Sequence, residues 1–292
     1  MSRLAWVNGR IVDEGEFCLR VRDRGFLYGD GLFETVRVYS GRPFGWDQHL
    51  ARLAEGCSRL GISYPGELIS SGAEELLRRV GDVDGSLRVT VTRGESGRGL
   101  LAPPALEPTV AITLSRGAPY DEHAYERGFK AITVSFPRNH LSPLVSLKTL
   151  NCLENVLGRR EAEAAGADEG IFLNLRGEVA EGTISNVFIV LENREIVTPP
   201  LKSGILPGIT RKLVIKLAVE LGYSVYERPI FPSDILKAKE AFLTNSLLEV
   251  MPLVALDGKL IGRGLPGPAT LDLRSAYREH VQKQSSGGGL CA

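Results

Sequence analysis

The sequence predicts a two-domain protein of the α+β or α/β class. Two observations predict this class: the 292-residue chain is long enough for two hydrophobic cores, and strand-like and helix-like segments follow one another in two series. A polar stretch at 116–128 separates the series, and the end of the chain is rich in Gly and Ser. We therefore predict a small N-terminal domain at 1–118, a linker at 119–130, a larger C-terminal domain at 131–283 that carries Lys148, and a disordered tail at 284–292.

The first series combines strands with two amphipathic helices. Apolar residues at helical spacing predict helices near 47–60 and 66–80. Strands are predicted at LAWVNGRIV, LFETVRVYSG, LRVTVTRG and TVAITLS.

The second series opens with the strand FKAITVSFP and a helix after Lys148, in which Leu150, Leu153 and Leu157 recur at helical spacing. Further strands are predicted at EGIFLN, EVAEGTISNVFIVL, EIVTP, YSVYERPI and EAFLTN. The other predicted helices are TRKLVIKLAVELG and the segments near 233–239 and 268–283.

Composition and cysteine spacing argue against several classes of protein. Lys plus Arg and Asp plus Glu are 35 each, without a basic stripe, so we expect no nucleic-acid partner. Apolar runs are only as long as strands and the N-terminus has no apolar signal core, so we expect a cytoplasmic protein without a membrane partner. The four cysteines and four histidines show no ligand spacing, and we expect no metal site.

Lys148 stands just ahead of a predicted helix, where the helix dipole disfavours an ammonium group. A lysine there either points into solvent or has a lowered pKa that makes its amine available for chemistry. Other segments of the sequence are therefore needed to distinguish the two interpretations.

Three further segments carry candidate binding groups, and each also has an ordinary structural explanation. Glu181 interrupts an apolar strand region, so it is either a turn residue facing water or a charge held by a partner. Gly208 and Thr210 begin a helix whose free N–H groups could hold a phosphate or form a normal N-cap. The polar residues at 244–246 could hold a phosphate or make a turn.

Together, an amine nucleophile, an isolated acid and two candidate phosphate sites are typical of a pyridoxal-phosphate enzyme. The lysine binds the cofactor aldehyde, the acid keeps the pyridine nitrogen protonated, and backbone amides hold the phosphate.

The chain resembles the fold-type IV (class IV) pyridoxal-phosphate enzymes, which include branched-chain and D-amino-acid aminotransferases and aminodeoxychorismate lyases. The resemblance rests on RDRGFLYGDGLFETVRVYSGRPFGWDQHLARL, KTLN, EGTISNVF, GILPGITR and TNSLLEVMP. It implies a D-amino-acid aminotransferase-like fold, bound pyridoxal 5′-phosphate, and a homodimer in which a loop of the partner completes each active site.

The resemblance also implies roles for individual residues. Lys148 matches the cofactor-binding lysine and catalytic base, Glu181 the partner of the pyridine nitrogen, and Leu206 the residue against the ring face. Cys152 stands where branched-chain aminotransferases carry a tyrosine that touches the cofactor's phenolic oxygen. The family's phosphate-binding positions are matched by Arg52, Ile209, Thr210 and Ser246.

Within the family, the sequence is most similar to the aminodeoxychorismate lyases. This similarity rests on Thr35 of FET, on Asn245, and on the run RGESGRG with Arg93 and Arg98. It implies catalytic roles for Thr35 and Asn245, and a substrate-binding role for Phe33, Arg93 and Arg98. RGESGRG could instead be a mobile polar loop.

The aminotransferase patterns match less well. D-amino-acid aminotransferases share Arg98, but Phe33 and Leu100 stand where they carry a tyrosine and a histidine. Branched-chain aminotransferases usually have glycine at Thr35 and tyrosine at Ser86.

The resemblance therefore implies cleavage of 4-amino-4-deoxychorismate to 4-aminobenzoate and pyruvate, a step of folate biosynthesis. The alternative is an aminotransferase for branched-chain or D-amino acids. A non-catalytic pyridoxal-phosphate-binding protein is a third hypothesis, which the intact KTLN segment disfavours.

Overall fold

A computed structural model describes residues 4–15 and 18–286 of the chain. These residues form two compact units, and no helix among them is long and apolar enough to cross a lipid bilayer. The first unit contains the described part of 1–118 together with 147–151, and the second contains 119–146 and 152–286.

An antiparallel six-stranded sheet forms the first unit. Its strands are β1 (Leu4–Val7), β2 (Arg10–Asp13), β3 (Gly31–Tyr39), β4 (Arg42–Pro43), β5 (Gly85–Thr92) and β6 (Thr109–Arg116). Their order is β2-β1-β6-β5-β3-β4. Asn8 and Gly9, with φ of 42° and 88°, make the two-residue turn between β1 and β2, because an Asn-Gly pair accepts two positive φ values.

Two helices cover the apolar face of this sheet, and their bounds agree closely with the sequence prediction. The helices of the unit are α1 (Arg24–Tyr28), α2 (Trp46–Leu60) and α3 (Gly66–Val80). Alternate residues of β5, including Leu87 and Val89, are buried in the same core as Ile69 and Leu76 of α3. Opposite side chains of the same strands are therefore available on the second face of the sheet.

A mixed nine-stranded sheet forms the second unit. Its strands are β7 (Phe129–Thr133), β8 (Glu169–Leu173), β9 (Val179–Gly182), β10 (Asn186–Val190), β11 (Glu195–Thr198), β12 (Ser224–Glu227), β13 (Glu240–Asn245), β14 (Glu249–Leu256) and β15 (Lys259–Leu260). The order is β12-β11-β10-β13-β14-β7-β8-β9, with β15 paired to β14. β7 pairs in parallel with both β8 and β14, and β11 with β12.

The second unit also contains five α-helices and two short 3-10 helices. Their bounds are α4 (Glu122–Arg127), α5 (Leu153–Ala164), α6 (Ile209–Glu220), α7 (Pro232–Lys237), α8 (Pro268–Ser286), and the 3-10 turns Glu192–Arg194 and Leu201–Ser203.

One long strand of this sheet is absent from the sequence prediction. β14 is buried along its whole length and contains Pro252, a residue that normally argues against a strand within a sheet. A continuous apolar run also lacks the alternation by which a half-buried strand is recognised. These two features explain why the hydrophobic pattern of the sequence did not predict β14.

The main segment of the first unit ends at residue 118, within the polar stretch, and three details of the structure differ from the prediction. Segment 119–130 belongs to the second unit and contains α4, because Asp121 caps the helix by accepting a hydrogen bond from Ala124 N–H. Residues 147–151 belong to the first unit rather than the C-terminal domain. α8 continues to Ser286, and the rest of the predicted tail, 287–292, lies outside the described residues.

Candidate active site

Lys148 is held by β3 of the first unit rather than by the start of a helix. Phe33 N–H donates to the Lys148 carbonyl at 2.9 Å, and Leu150 N–H donates to the Gly31 carbonyl at 3.0 Å. α5 begins only at Leu153. The prediction that Lys148 stands at a helix N-terminus is therefore wrong, because backbone pairing with β3 places the lysine elsewhere.

The half-buried Lys148 side chain lies against an aromatic ring that a second cation also contacts. Lys148 Nζ is 4.5 Å from the centre of the Phe33 ring, and Arg88 Cζ is 3.9 Å from the same centre. Thr35 lies two residues after Phe33 on the same face of the sheet and is in register with Arg88. The face thus combines an amine, a guanidinium and a hydroxyl, and sequence reasoning had not singled out Arg88.

The opposite side of β3 carries a buried charge cluster. Glu34 is 1% exposed, and Arg52 of α2 donates to both of its oxygens, from Nε and Nη2, at 2.7 Å each. His49 Nδ1 lies 2.7 Å from Glu34 Oε2. Burial opposes ionisation of Glu34, but the hydrogen bonds from Arg52 and His49 outweigh it and lower the pKa of the carboxyl to about 2.

The imidazole in this cluster is neutral. Burial lowers the pKa of His49, and the charges of Arg52 and Lys148 act in the same direction, although the hydrogen bond to Glu34 opposes them. A neutral His49 donates its Nδ1–H to the carboxylate, which can only accept. Arg52, predicted to bind phosphate, thus has two of its nitrogens on Glu34 and lies at the edge of a buried ion pair.

The arginines of RGESGRG have different surroundings. Arg93 donates to both oxygens of Asp30, at 2.7 and 3.0 Å, and to the Leu60 and Gly61 carbonyls at the end of α2. These contacts tie Arg93, for which a contact with substrate was predicted, to Asp30 and to the end of α2. Arg98 is exposed.

The loop that contains Arg98 is anchored at its base. Arg24, whose side chain is almost fully buried, donates to the carbonyls of Gly99 and Leu100 at 2.9 and 2.8 Å and to Asp30 at 2.8 Å. Sequence reasoning quoted Arg24 within a motif but gave it no role, because a buried arginine has no local pattern.

In the second unit, Glu181 is a buried strand residue. It lies in β9, and its side chain is 8% exposed. Arg138 donates to Oε1, while Asn186 Nδ2 and the Leu206 N–H donate to Oε2 at 3.2 and 2.9 Å. Of the two interpretations left open by the sequence, the structure supports a charge held by specific partners and contradicts a turn residue facing water.

The loop before α6 is tied to Glu181 through Asn186. Asn186 Nδ2 donates to the Leu206 carbonyl at 3.1 Å as well as to Glu181. A Cβ on Gly208 would lie 2.1 Å from Asn186 Oδ1, so only glycine fits at this position. The half-buried Leu206 is therefore held by both its N–H and its carbonyl.

The start of α6 offers uncapped donors. Its N-cap is Gly208, which has no side chain to accept from the first N–H groups, those of Ile209 and Thr210. Thr244 on the adjacent β13 is fully buried, and its hydroxyl has no hydrogen-bond partner within the described residues. Since Thr244 pairs with Asn186, which contacts Gly208, these donors belong to one region of the second unit.

The side chain of Asn245 is used by the fold. Its Oδ1 accepts from the N–H groups of Leu247 and Leu248 at 2.7 and 2.6 Å, and its Nδ2 donates to the Ile184 carbonyl at 2.8 Å. Two of these bonds shape the turn between β13 and β14, and the third ties it to the turn between β9 and β10, so this side chain, for which a catalytic role was predicted, has structural partners. The half-buried Ser246 lies in the same turn, and the half-buried Cys152 is the N-cap residue of α5.

These groups fit pyridoxal 5′-phosphate. Within the first unit, the Lys148 amine is the kind of group that binds an aldehyde. Within the second unit lie a buried carboxylate, a helix start without a side-chain cap and a buried hydroxyl without a partner among the described residues. An aldehyde, a protonated pyridine nitrogen and a phosphate need these donors and acceptors.

Comparison with known proteins identifies similar chains. The family model described as amino-transferase class IV matches residues 31–256. The chain is 38% identical to a protein of Methanocaldococcus jannaschii that is provisionally named a branched-chain-amino-acid aminotransferase, covering 94% of this chain and 95% of the relative. It is 35% identical to the D-alanine aminotransferase of Bacillus licheniformis (96% and 97% covered) and 35% identical to the aminodeoxychorismate lyase of Bacillus subtilis strain 168 (96% and 95%).

The similar solved structures also include both aminotransferases and an aminodeoxychorismate lyase. The branched-chain aminotransferase of the thermophilic archaeon Thermoproteus uzoniensis, solved with norvaline, matches with a TM-score of 0.88 at 32% identity, covering 97% of this chain and 96% of that one. The 4-amino-4-deoxychorismate lyase of Pseudomonas aeruginosa matches with a TM-score of 0.85 at 34% identity, covering 94% and 98%. A further branched-chain aminotransferase with the same fold was solved with pyridoxamine 5′-phosphate. The fold is the predicted one, and both kinds of enzyme share it.

Proposed function

The chain belongs to the class IV aminotransferase family and is a pyridoxal 5′-phosphate-dependent enzyme, and on this premise we propose that it is an aminodeoxychorismate lyase. In this reaction 4-amino-4-deoxychorismate loses the proton on its amine-bearing carbon, enolpyruvate leaves, and the ring becomes aromatic as 4-aminobenzoate. Enolpyruvate then tautomerises to pyruvate, so no second substrate is required.

The main support for this proposal is the arrangement of side chains around Phe33, on one face of β3 and β5. Lys148 Nζ and Arg88 lie against the same ring, and Thr35 is in register with Arg88. A substrate with two carboxylates on a rigid ring suits a guanidinium and a hydroxyl better than it suits an apolar pocket. Arg88 would bind a carboxylate while Lys148 Nζ accepts the proton from the amine-bearing carbon.

The residues of the second unit would hold the cofactor. Glu181 would face the pyridine nitrogen, and the N–H groups of Ile209 and Thr210 would hold the phosphate, with Ser246 and Leu206 beside them as the resemblance implies. When bound, pyridoxal 5′-phosphate withdraws electrons from the substrate carbon. Arg138 supplies the counter-charge that keeps Glu181 oriented.

The second candidate is an aminotransferase for branched-chain or D-amino acids. It is favoured by the 38% identity to the M. jannaschii relative and by the contacts of Asn245, whose side chain already has three backbone partners. Asn245 therefore gives the lyase less support than its place in the motif suggested, and the lyase proposal depends mainly on Thr35 and Arg88.

Substrate assays distinguish the two candidates. The purified holoenzyme is incubated with 4-amino-4-deoxychorismate alone, and separately with D-alanine or L-leucine plus 2-oxoglutarate. We expect 4-aminobenzoate and pyruvate in equal amounts without any keto acid acceptor. Aminotransfer at ordinary enzymatic rates without 4-aminobenzoate would instead establish the second candidate.

Variants of the same face sharpen this assay. Arg88→Gln should raise the KM for 4-amino-4-deoxychorismate about ten- to a hundred-fold, because a charge-assisted hydrogen bond is lost. Thr35→Val should lower kcat/KM about tenfold. Arg116→Gln, at the exposed end of β6 in the same sheet, is the matched control and should leave both values unchanged.

A homodimer is also part of the proposal, on the family resemblance, and so is the cytoplasmic location expected from the sequence. Sedimentation at assay concentration should show a dimer, and a fully active monomer would contradict it.

A further inference from the structure

Glu169, the first residue of β8, is a fully buried carboxylate with no role in the chemistry proposed above. Removing an ionised carboxylate from water costs free energy unless hydrogen bonds replace those with water. The donors that surround Glu169 therefore indicate what this charge does.

Most of these donors come from the turn that follows Glu181. Thr183 donates to Glu169 Oε1 from its hydroxyl and, at 3.1 Å, from its N–H. Ser185 Oγ donates to Oε2 at 2.8 Å. Gly170 N–H completes the set at 2.9 Å, and Arg159 Nη1 provides a positive charge 3.8 Å from Oε1. The carboxylate thus binds the Thr183 N–H and the hydroxyl groups of Thr183 and Ser185, at both ends of the 183–185 turn.

This turn determines where Glu181 lies. It connects β9, which carries Glu181, to β10, which begins with Asn186, and Asn186 donates to Glu181. Gly182 N–H donates to the Ser185 carbonyl at 2.6 Å. A Cβ on Gly182 would lie 2.3 Å from Ser185 Oγ and 2.9 Å from Glu169 Oε2, so the turn is closely packed against the carboxylate.

We propose that Glu169 is a positioning residue: its buried carboxylate holds the 183–185 turn so that Glu181 meets the pyridine nitrogen of pyridoxal 5′-phosphate. This inference rests on the role proposed for Glu181 and is independent of whether the enzyme is a lyase or an aminotransferase. Glu169 does not touch the cofactor in this account.

The test measures recognition of the ring nitrogen rather than activity. Full-length protein is stripped of cofactor, and equilibrium dialysis gives the dissociation constants of pyridoxal 5′-phosphate and of its deaza analogue, in which C–H replaces the pyridine nitrogen. The dissociation constant of the deaza analogue divided by that of pyridoxal 5′-phosphate reports the contact with Glu181, because both ligands share the aldehyde and the phosphate.

Glu169→Gln should reduce this ratio about tenfold, as should Glu181→Gln, because each variant loses the hydrogen bond between the charged Glu181 carboxylate and the pyridine nitrogen. The double variant should show little further reduction, because both changes remove the same contact. Glu240→Gln is the matched control: Glu240 also accepts from two backbone N–H groups and a threonine hydroxyl, but these belong to α8. It should leave the ratio unchanged.

Two outcomes would overturn the inference. If Glu169→Gln weakens both ligands equally, Glu169 only supports the fold. If Glu181→Gln itself leaves the ratio unchanged, the role proposed for Glu181 fails and this inference fails with it. Should Glu169→Gln not fold, Ser185→Ala removes one hydrogen bond to the carboxylate and must still lower the ratio, by about two- to fivefold.

Discussion

Glu34 of the first unit and Glu181 of the second are both buried carboxylates on strands, but they have different kinds of partner. In the first unit both oxygens of Glu34 are engaged by Arg52 and His49, which lie on one helix, α2. This closed cluster joins β3 to α2 and holds the pKa of Glu34 at about 2. Its charge is balanced within the core, so it stabilises the unit.

In the second unit the partners of Glu181 come from three separate segments. Arg138 lies in the loop after β7, Asn186 on β10 and the Leu206 N–H before α6. As for Glu34, only one of these groups, an arginine, is charged. The comparison teaches that burial and charge alone do not separate the two acids, whereas the origin of their partners does: one helix for Glu34 and three separate segments for Glu181.

The largest effect is expected at Lys148, on the sheet face opposite Glu34. Lys148→Ala should lower turnover at least about a thousandfold, because no other amine is proposed as nucleophile and base. The measurement is product formation, together with the visible absorption of the holoenzyme. Lys130→Ala, an exposed lysine on β7, should behave like the wild type. A fully active Lys148→Ala enzyme would refute the assignment.

Next in size is the effect of Glu181→Gln on chemistry. A neutral amide cannot keep the pyridine nitrogen protonated, so kcat should fall about a hundredfold. The variant should still bind cofactor, measured by absorbance after gel filtration, and its urea midpoint should shift little. An unchanged kcat would mean that Glu181 has the same structural role as Glu34.

Glu34→Gln should show the opposite pattern, with a loss of stability. The pKa of the carboxyl is lowered from 4.5 to about 2, so ionised Glu34 contributes roughly 3 kcal/mol above pH 4.5, which is lost as the pH falls towards 2. His49 acts in the same direction below pH 6.5, since its pKa is also lowered in the folded state.

Tryptophan fluorescence measures this prediction selectively, because both tryptophans, Trp6 and Trp46, lie in the first unit. Urea unfolding should show Glu34→Gln less stable by roughly 3 kcal/mol at pH 7, with a difference that shrinks below pH 4.5. Glu55→Gln, on the exposed side of α2, is the control and should match the wild type. Equal stability of Glu34→Gln and wild type at pH 7 would contradict the closed cluster.

The smallest effect is expected at Asn245. Asn245→Ala should lower stability by about 1–3 kcal/mol and increase hydrogen exchange at the Leu247 and Leu248 amides, because their acceptor is lost. Asn245→Asp keeps that acceptor and should retain their protection. A drop in kcat without any change in exchange would instead restore the catalytic role implied by the family resemblance.

Much of the fold was predictable where the signal is local. The periodicities near 47–60 and 66–80 correspond to Trp46–Leu60 and Gly66–Val80, and the alternation in LFETVRVYSG corresponds to β3. Such patterns arise from the geometry of a single helix or strand. The same analysis joined β9 and β10 into one strand, because a turn held by a distant carboxylate leaves no local pattern.

The sequence by itself determined the family and the cofactor, and it singled out Lys148 and Glu181 as the residues proposed to be central, since these lie in contiguous motifs of distinctive composition. Only the tertiary structure decided that Lys148 pairs with β3, that Arg138 holds Glu181, and that Asn245 donates to the Ile184 carbonyl. Each of these contacts joins residues between about 40 and 120 positions apart, and residue spacing along a chain carries no information about such pairing.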